Sequence, residues 1–273
     1  MPPGNNVSIE PMLLTNAHPP TQQTVGDRVL SRRSSSDRYT LRLANCLEDL
    51  RAAQTLRFCV FNLELNEGLE QSFATGLDAD PFDDVCDHLL VEERQTREIV
   101  GTYRLQTGQK AGTHRGYYSA QEFDLAPFES RRGQIVELGR ACVHIQHRNL
   151  KVLSLLWKGI ASYARERGGR YLIGCSSVTS QDPVAGATLF AGMQRHHLAG
   201  LEWQSRPWPA VACPLHQLLE ETPKIPKLLA AYLSLGAKIC GPPAIDREFK
   251  TIDFLTHLDL EALPAATVER FLS

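Results

Sequence analysis

Between residues 83 and 88 the chain reads Asp83-Asp84-Val85-Cys86-Asp87-His88, and the apolar run Leu89-Leu90-Val91 follows at once. A hard cation would want more oxygen ligands and a glycine at the turn, and zinc would want more closely spaced His or Cys, so no metal is expected here. An Asp-rich turn capping a strand explains the run without any ligand. The preferred reading places Asp83, Asp87 and His88 at the edge of a cleft, where a carboxylate holds a cationic substrate amine.

A second group is Val136-Glu137-Leu138-Gly139-Arg140-Ala141-Cys142-Val143, which sets an acid and a base among apolar neighbours. Strict alternation in a strand puts Glu137 and Arg140 on opposite faces. For both to serve one site the strand must bulge, and Gly139 is where a bulge costs least. A bulge also frees a backbone N–H, the donor that acyl transfer needs as the thioester oxygen gains charge. An attacking ammonium must in addition lose a proton, and Glu137 is the expected base. A surface Glu–Arg pair on an edge strand is the bland alternative. Arg57 and Arg104, charges on otherwise apolar patterns, extend the same cleft, although each alone reads as a snorkelling side chain. Cys142 and Cys175 are better read as small buried hydrophobes than as acyl-accepting nucleophiles.

The elements that must position these residues follow from periodicity. Tyr39 to Leu43 alternates like a strand, and Cys46 to Leu65 reads as a helix with Leu50, Ala53, Arg57 and Phe61 on one stripe. Asp87 to Glu93 and Glu98 to Gln106 form a hairpin around Arg94-Gln95-Thr96-Arg97. Gln134 to His144, Leu150 to Arg167 and Arg170 to Val178 make a β-α-β unit, which implies parallel pairing and a right-handed crossover. A helix at Pro183 to Arg195, a Pro- and Trp-rich stretch, a short helix at Lys227 to Leu235 and strands at Ala237 to Gly241 and Thr251 to Leu258 complete the chain. The expected fold is α/β with a mixed sheet, one domain over residues 38–273 with helices on both faces. Residues 1–37 are polar and low in apolar periodicity, and read as a flexible leader.

Composition narrows the function further. At 273 residues, 42% hydrophobic and 22% charged, the chain can bury a real core. A net charge of -2 supplies no global field for nucleic acid, so none is expected as a partner. Seven scattered cysteines with no CxxC pair point to a reducing cytoplasm, and no apolar run is long enough to span a bilayer.

Together this arrangement resembles the GNAT-fold acyltransferases, and within them the branch of ornithine–acyl carrier protein N-acyltransferases, related to the acyl-homoserine-lactone synthases. The text that carries the resemblance is Phe82-Asp83-Asp84-Val85-Cys86-Asp87-His88-Leu89-Leu90-Val91, Val100-Gly101-Thr102-Tyr103-Arg104-Leu105, Tyr118-Ser119-Ala120-Gln121-Glu122-Phe123-Asp124-Leu125, Glu137-Leu138-Gly139-Arg140, Leu155-Leu156-Trp157-Lys158-Gly159-Ile160 and Tyr232 to Ala244. The resemblance implies transfer of a 3-hydroxyacyl group from carrier protein to the α-amine of ornithine, giving the lyso precursor of ornithine lipids. It also implies that Arg57, Phe61, Asp83, Asp87, Arg104, Glu137 and Arg140 line the catalytic cleft.

One departure bears on the donor. GNAT enzymes follow the bulged strand with a glycine-containing loop that cradles the coenzyme A pyrophosphate at a helix N-terminus, whereas here the run is Arg148-Asn149-Leu150-Lys151-Val152-Leu153. The expectation is therefore a carrier-protein donor, no cofactor beyond the acyl-phosphopantetheine thioester as co-substrate, and carrier docking at Arg148 and Lys151, because carrier proteins are acidic. Alternatives are N-acylation of another amino acid, acyl-homoserine-lactone synthesis, and a non-catalytic, membrane-associated haemolysin-like protein. A cytoplasmic enzyme, with peripheral contact at the inner membrane face through its product, is the expected setting.

Overall fold

The computed structural model describes residues 38–272, so the leader expected over residues 1–37 lies outside the described residues. Eight strands form one mixed sheet in the order β1-β2-β3-β4-β5-β8-β6, with β7 also paired to β8. They are β1 (Tyr39–Leu43), β2 (Asp87–Glu93), β3 (Ile99–Thr107), β4 (Ile135–Val143), β5 (Tyr171–Val178), β6 (Lys238–Ile239), β7 (Ala244–Asp246) and β8 (Thr251–Asp259). The helices are α1 (Leu47–Phe58), α2 (Gly108–Thr113), α3 (Leu150–Glu166), α4 (Pro183–His197), α5 (Lys227–Ser234) and α6 (Ala265–Leu272). Among these eight strands only β4 and β5 pair in parallel, as the crossover helix α3 between them requires.

The helix expected from Cys46 to Leu65 changes pitch instead of running through. Regular α1 stops at Phe58, and wider turns over Cys59–Glu64 carry Phe61 inward. Three elements were not legible as separate units: α2, β7 and α6. Each is short or weakly patterned, so nothing local distinguishes it from a turn.

Period-two alternation on β3 sorts its residues between the layers. Tyr103 and Leu105 join Val152, Leu156, Trp157 and Ile160 of α3 in one core, while Arg104 and Gln106 turn to the side covered by α1. Gly159 lets α3 lie close, since a Cβ there would come within 2.7 Å of Leu89 and 3.0 Å of Leu41. Most of the apolar face of α3 is thus used in the core. Among the described residues no helix is long and apolar enough to cross a membrane.

The feature that makes a site is the limited pairing of β4 with β5. Their registers match only over Ile135–Glu137 and Tyr171–Ile173. Beyond that the strands part, and a cavity of about 740 Å³ opens between them. Its walls include the β4 backbone from Leu138 to Val143 and the β5 residues Leu172 to Ser177. Gly174 guards the branch point: a Cβ there would lie 2.3 Å from the Leu138 carbonyl oxygen.

Candidate active site

Strand β4 does bulge, but one residue later than expected. Gly139 pairs with Arg104 and Cys142 with Thr102, so Arg140 and Ala141 together face the single residue Tyr103. The left-handed backbone falls on Arg140 (φ 50°) and not on Gly139. A non-glycine residue there costs on the order of 1–2 kcal/mol, so the surroundings must hold it. They do so through Asp78, Asp80, the Tyr118 hydroxyl and the Phe249 ring, whose centroid is 4.3 Å from the guanidinium carbon. The bulge brings the Arg140 guanidinium to the α1 side that Glu137 already occupies.

There Arg140 closes a ring of alternating charges. Arg57 pairs with Asp83 and Asp78, Asp83 with Arg104, Arg104 with Asp80, Asp80 with Arg140, and Arg140 with Asp78, all between 2.6 and 3.3 Å. Arg57 and Asp78 are fully buried, and Asp83 and Arg104 nearly so. Burial pushes the Asp83 carboxyl up, but the Arg57 and Arg104 guanidinia outweigh it and hold that group well below the usual carboxylate range. Asp80 is lowered in the same way, against burial, by Arg104 and Arg140. Six formal charges that cancel, each with a partner on both sides, make burial tolerable.

Glu137 stands next to this ring without joining it. Its carboxylate accepts from the Tyr118 N–H, the Ser119 N–H and the Ser119 hydroxyl, each at 2.8 Å, and from Gln106 Nε2 at 3.2 Å. Burial raises its pKa, and the donors offset only part of that. Those donors use its lone pairs and fix the segment bearing Tyr118, which lines the cavity where Glu137 does not.

The other expected site residues separate. Phe61, Gly139, Arg140 and Arg148 line the cavity. Arg57, Asp83 and Arg104 lie behind it in the ring. Asp83 has no oxygen left to hold a substrate amine, since Arg57, Arg104 and Gln54 donate to both. His88 is buried with Nε2 against the Asp83 carbonyl oxygen at 3.2 Å, and burial lowers its pKa. Asp87 is away from the ring, bonded to Lys110 and to the Tyr163 hydroxyl of α3. The acidic run 83–88 therefore converges on no common ion. Arg148 pairs with Glu64 and donates to the Val143 carbonyl oxygen, and Lys151 lies exposed in the first turn of α3. Burial pushes the Cys142 and Cys175 thiols up, which disfavours the thiolate at both.

Several residues were missed. Asp78 and Asp80 stand in an irregular loop where no periodicity flags them, although Asp80-Pro81 marks a turn. Asp253, a carboxylate in the otherwise apolar strand Thr251-Ile252-Asp253-Phe254-Leu255, was a visible signal, and Glu122 becomes its neighbour only in the fold.

Residues 56–158 match the model of the acetyltransferase (GNAT) domain. An L-ornithine Nα-acyltransferase of Brucella abortus is 32% identical over 270 residues, covering 90% of this chain and 92% of that protein. One from Agrobacterium fabrum is 33% identical over 81% of each chain. Among solved structures, FeeM, an N-acyl amino acid synthase from uncultured soil microbes, superposes with a TM-score of 0.51 at 13% identity, covering 84% of this chain and 94% of its own. The AHL synthase LasI gives 0.50 at 12% identity, covering 85% and 94%. The fold is thus the GNAT fold, and the chain belongs to the L-ornithine Nα-acyltransferase family.

Proposed function

We propose that this acyltransferase moves a long acyl group, 3-hydroxylated in its natural form, from the pantetheine thioester of acyl carrier protein to the α-amine of ornithine, yielding a lyso-ornithine lipid. The observation that carries this is the opening between β4 and β5. A strand edge without partners beyond Glu137 presents backbone donors, and the adjoining walls from α3 and α5 supply Leu153, Leu156, Trp157, Leu228 and Tyr232 for an apolar chain. Relatives named for ornithine support the acceptor.

In this scheme the α-ammonium first gives one proton to solvent, the amine nitrogen attacks the thioester carbon, and β4 N–H groups meet the developing oxyanion. The C–S bond then breaks, an amide forms, and the pantetheine sulfur leaves as a thiol after taking up the proton that the amine gives up. Glu137 acts as a positioning residue that holds Tyr118 on the cavity wall, and Arg140 presents guanidinium N–H donors there.

A carrier-bound donor is favoured over coenzyme A by the start of α3. The Lys151 and Val152 N–H groups, which a pyrophosphate would need, already donate to the Asn149 side chain at 3.0 and 3.1 Å. Arg148 and Lys151, beside that turn, form the docking patch for the acidic carrier. No cofactor is required beyond the thioester co-substrate. The amphiphilic product would bring a cytoplasmic enzyme into peripheral contact with the inner membrane face.

Incubation of the purified protein with 3-hydroxyacyl carrier protein and a panel of amino acids, followed by mass spectrometry, tests the proposal. Nα-acylornithine as the main product is expected. Release of free fatty acid alone, or acylation of every amino acid offered at equal rate, would refute it.

A further inference from the structure

A second set of acids stands apart from the arginine–aspartate ring. Glu67, Asp246 and Asp253 line the same cavity, together with Cys175, and Glu122 lies directly behind Asp253. In the ring every carboxylate has arginine partners. Here, among the described residues, no Arg or Lys forms a salt bridge to any of the four, and Arg140 acts on Glu122 only at longer range.

Two of the acids are deeply buried and incompletely bonded. Glu122 is 5% exposed and Asp253 3%; the two carboxyls bond to each other, but Glu122 Oε2 and Asp253 Oδ1 have no N–H or hydroxyl donor within hydrogen-bond distance. Asp246, in contrast, has its Oδ1 engaged by the Glu248 and Phe249 N–H groups. Ligand atoms of Glu122, Asp253 and Cys175 lie within 4.8 Å of one another, so one small cation could touch all three. Buried carboxylates without a counter-ion are costly, and they lower the cost by retaining a proton. Burial raises both carboxyls; repulsion from Asp253 and Asp246 adds to it at Glu122, whereas at Asp253 repulsion from Asp246 is opposed by hydrogen bonds from Ser177, Thr251 and Glu122. A cation entering from the cavity would take the place of that proton.

The chemistry of the set selects the cation. Two hard oxygens, a thiol held protonated by burial and no histidine make a poor zinc or calcium site. An alkylammonium group, which offers N–H donors at short range, fits spare carboxylate oxygens well. Arg140 lines the same cavity and keeps Nη–H groups beyond those given to Asp80 and Tyr118, so one molecule bearing a carboxylate at one end and an ammonium at the other can meet complementary groups at both.

We propose that Asp253, backed by Glu122, is the subsite that takes the side-chain ammonium of the acceptor and so selects a cationic amino acid over an uncharged one of equal length. This rests on the acyl-transfer reading above and adds the residues that set its specificity.

The experiment compares ornithine with norvaline, which has the same carbon chain but no side-chain amine, using acyl carrier protein as donor and full-length protein. Wild type should prefer ornithine. In Asp253→Asn, and independently in Glu122→Gln, the ratio of kcat/KM for ornithine to that for norvaline should fall by roughly 10- to 100-fold, the weight of a hydrogen bond to a charged group. Thermal melting identifies a variant that has merely lost its fold. A ratio that stays at the wild-type value in both folded variants overturns the proposal and leaves the acyl-transfer reading intact. A parallel loss on both amino acids also overturns it, because a structural role moves both. Stoichiometric metal retained after dialysis, with activity lost on chelation, overturns it in favour of a metal site. Wild type that acylates neither amino acid sinks the reading beneath it.

Discussion

Replacing Arg57 by methionine should expose the energetics of the charge ring. Arg57 donates through Nε to Asp78 Oδ2 at 2.8 Å and through Nη1 and Nη2 to the two Asp83 oxygens at 2.9 and 2.8 Å. Methionine preserves much of the volume but removes one of three positive charges, so the ring acquires a net negative charge at its most buried end, where Arg57 and Asp78 are fully enclosed. Asp83 keeps Arg104 and Gln54, each at 2.9 Å. Asp78 keeps only the Arg140 Nε at 3.3 Å, and its Oδ1 has no partner even in the intact protein. Removing one partner of a buried pair costs about 3–5 kcal/mol, mostly the penalty of the charge left behind. With a urea dependence of about 2–3 kcal/mol per molar, the unfolding midpoint should fall by roughly 1–2.5 M. Adding Asp78→Asn restores neutrality and should recover about 2 kcal/mol of that loss, a coupling that a double-mutant cycle reads directly. A single-variant cost under about 1 kcal/mol, or strict additivity in the double variant, would refute the ring as an electrostatic unit.

Other outcomes follow from the same geometry. Glu137→Gln places an amide N–H₂ against backbone donors, so activity and thermal stability should drop together, by about 2–4 kcal/mol in stability, with no limb lost from the pH–rate profile. A folded, stable variant that loses only kcat and one pH limb would identify Glu137 as the base after all. Burial holds His257, stacked on Trp203 at 4.0 Å, down to about 4, so above its unfolded value near 6.5 it adds no pH dependence. As pH falls from there towards 4 the unfolded chain gains a proton that the folded one does not, and stability should decline by about 3 kcal/mol. Urea unfolding across that range, repeated on His257→Gln, should show the slope in wild type and its reduction in the variant. Arg148→Glu should raise KM for acyl carrier protein roughly fivefold at low salt, the weight of about 1 kcal/mol at an exposed ion pair, and flatten its salt dependence. Identical KM values at low and high salt would remove Arg148 from the docking surface.

Much of the scaffold was readable because α3 and the central strands carry long, regular patterns. Tyr103 and Leu105 alternate with Arg104 and Gln106, and that alternation alone assigns each to its layer. The need for a bulge was readable too, since Glu137 and Arg140 share a side only if the strand breaks step. Its position was not. Glycine at 139 is the cheaper local choice, but tertiary contacts to Asp78, Asp80 and Phe249 hold the strain on Arg140. Spacing also misdirected the reading of the run 83–88. Asp83 turns towards Arg57 and Asp87 towards Tyr163, because the chain enters β2 between them and the two side chains follow different layers. The ring and the second acidic set draw on residues up to 186 positions apart (Glu67 to Asp253), a distance at which no local pattern carries information.

The opening between β4 and β5 is the proposed place where the thioester is bound and attacked. The most direct measurement is a crystal structure with a non-hydrolysable acyl-pantetheine analogue. The analogue's carbonyl oxygen should lie about 3 Å from an N–H of β4 beyond Leu138, with its acyl chain between α3 and α5. An analogue bound elsewhere on the protein, with the opening left unchanged, would contradict the account.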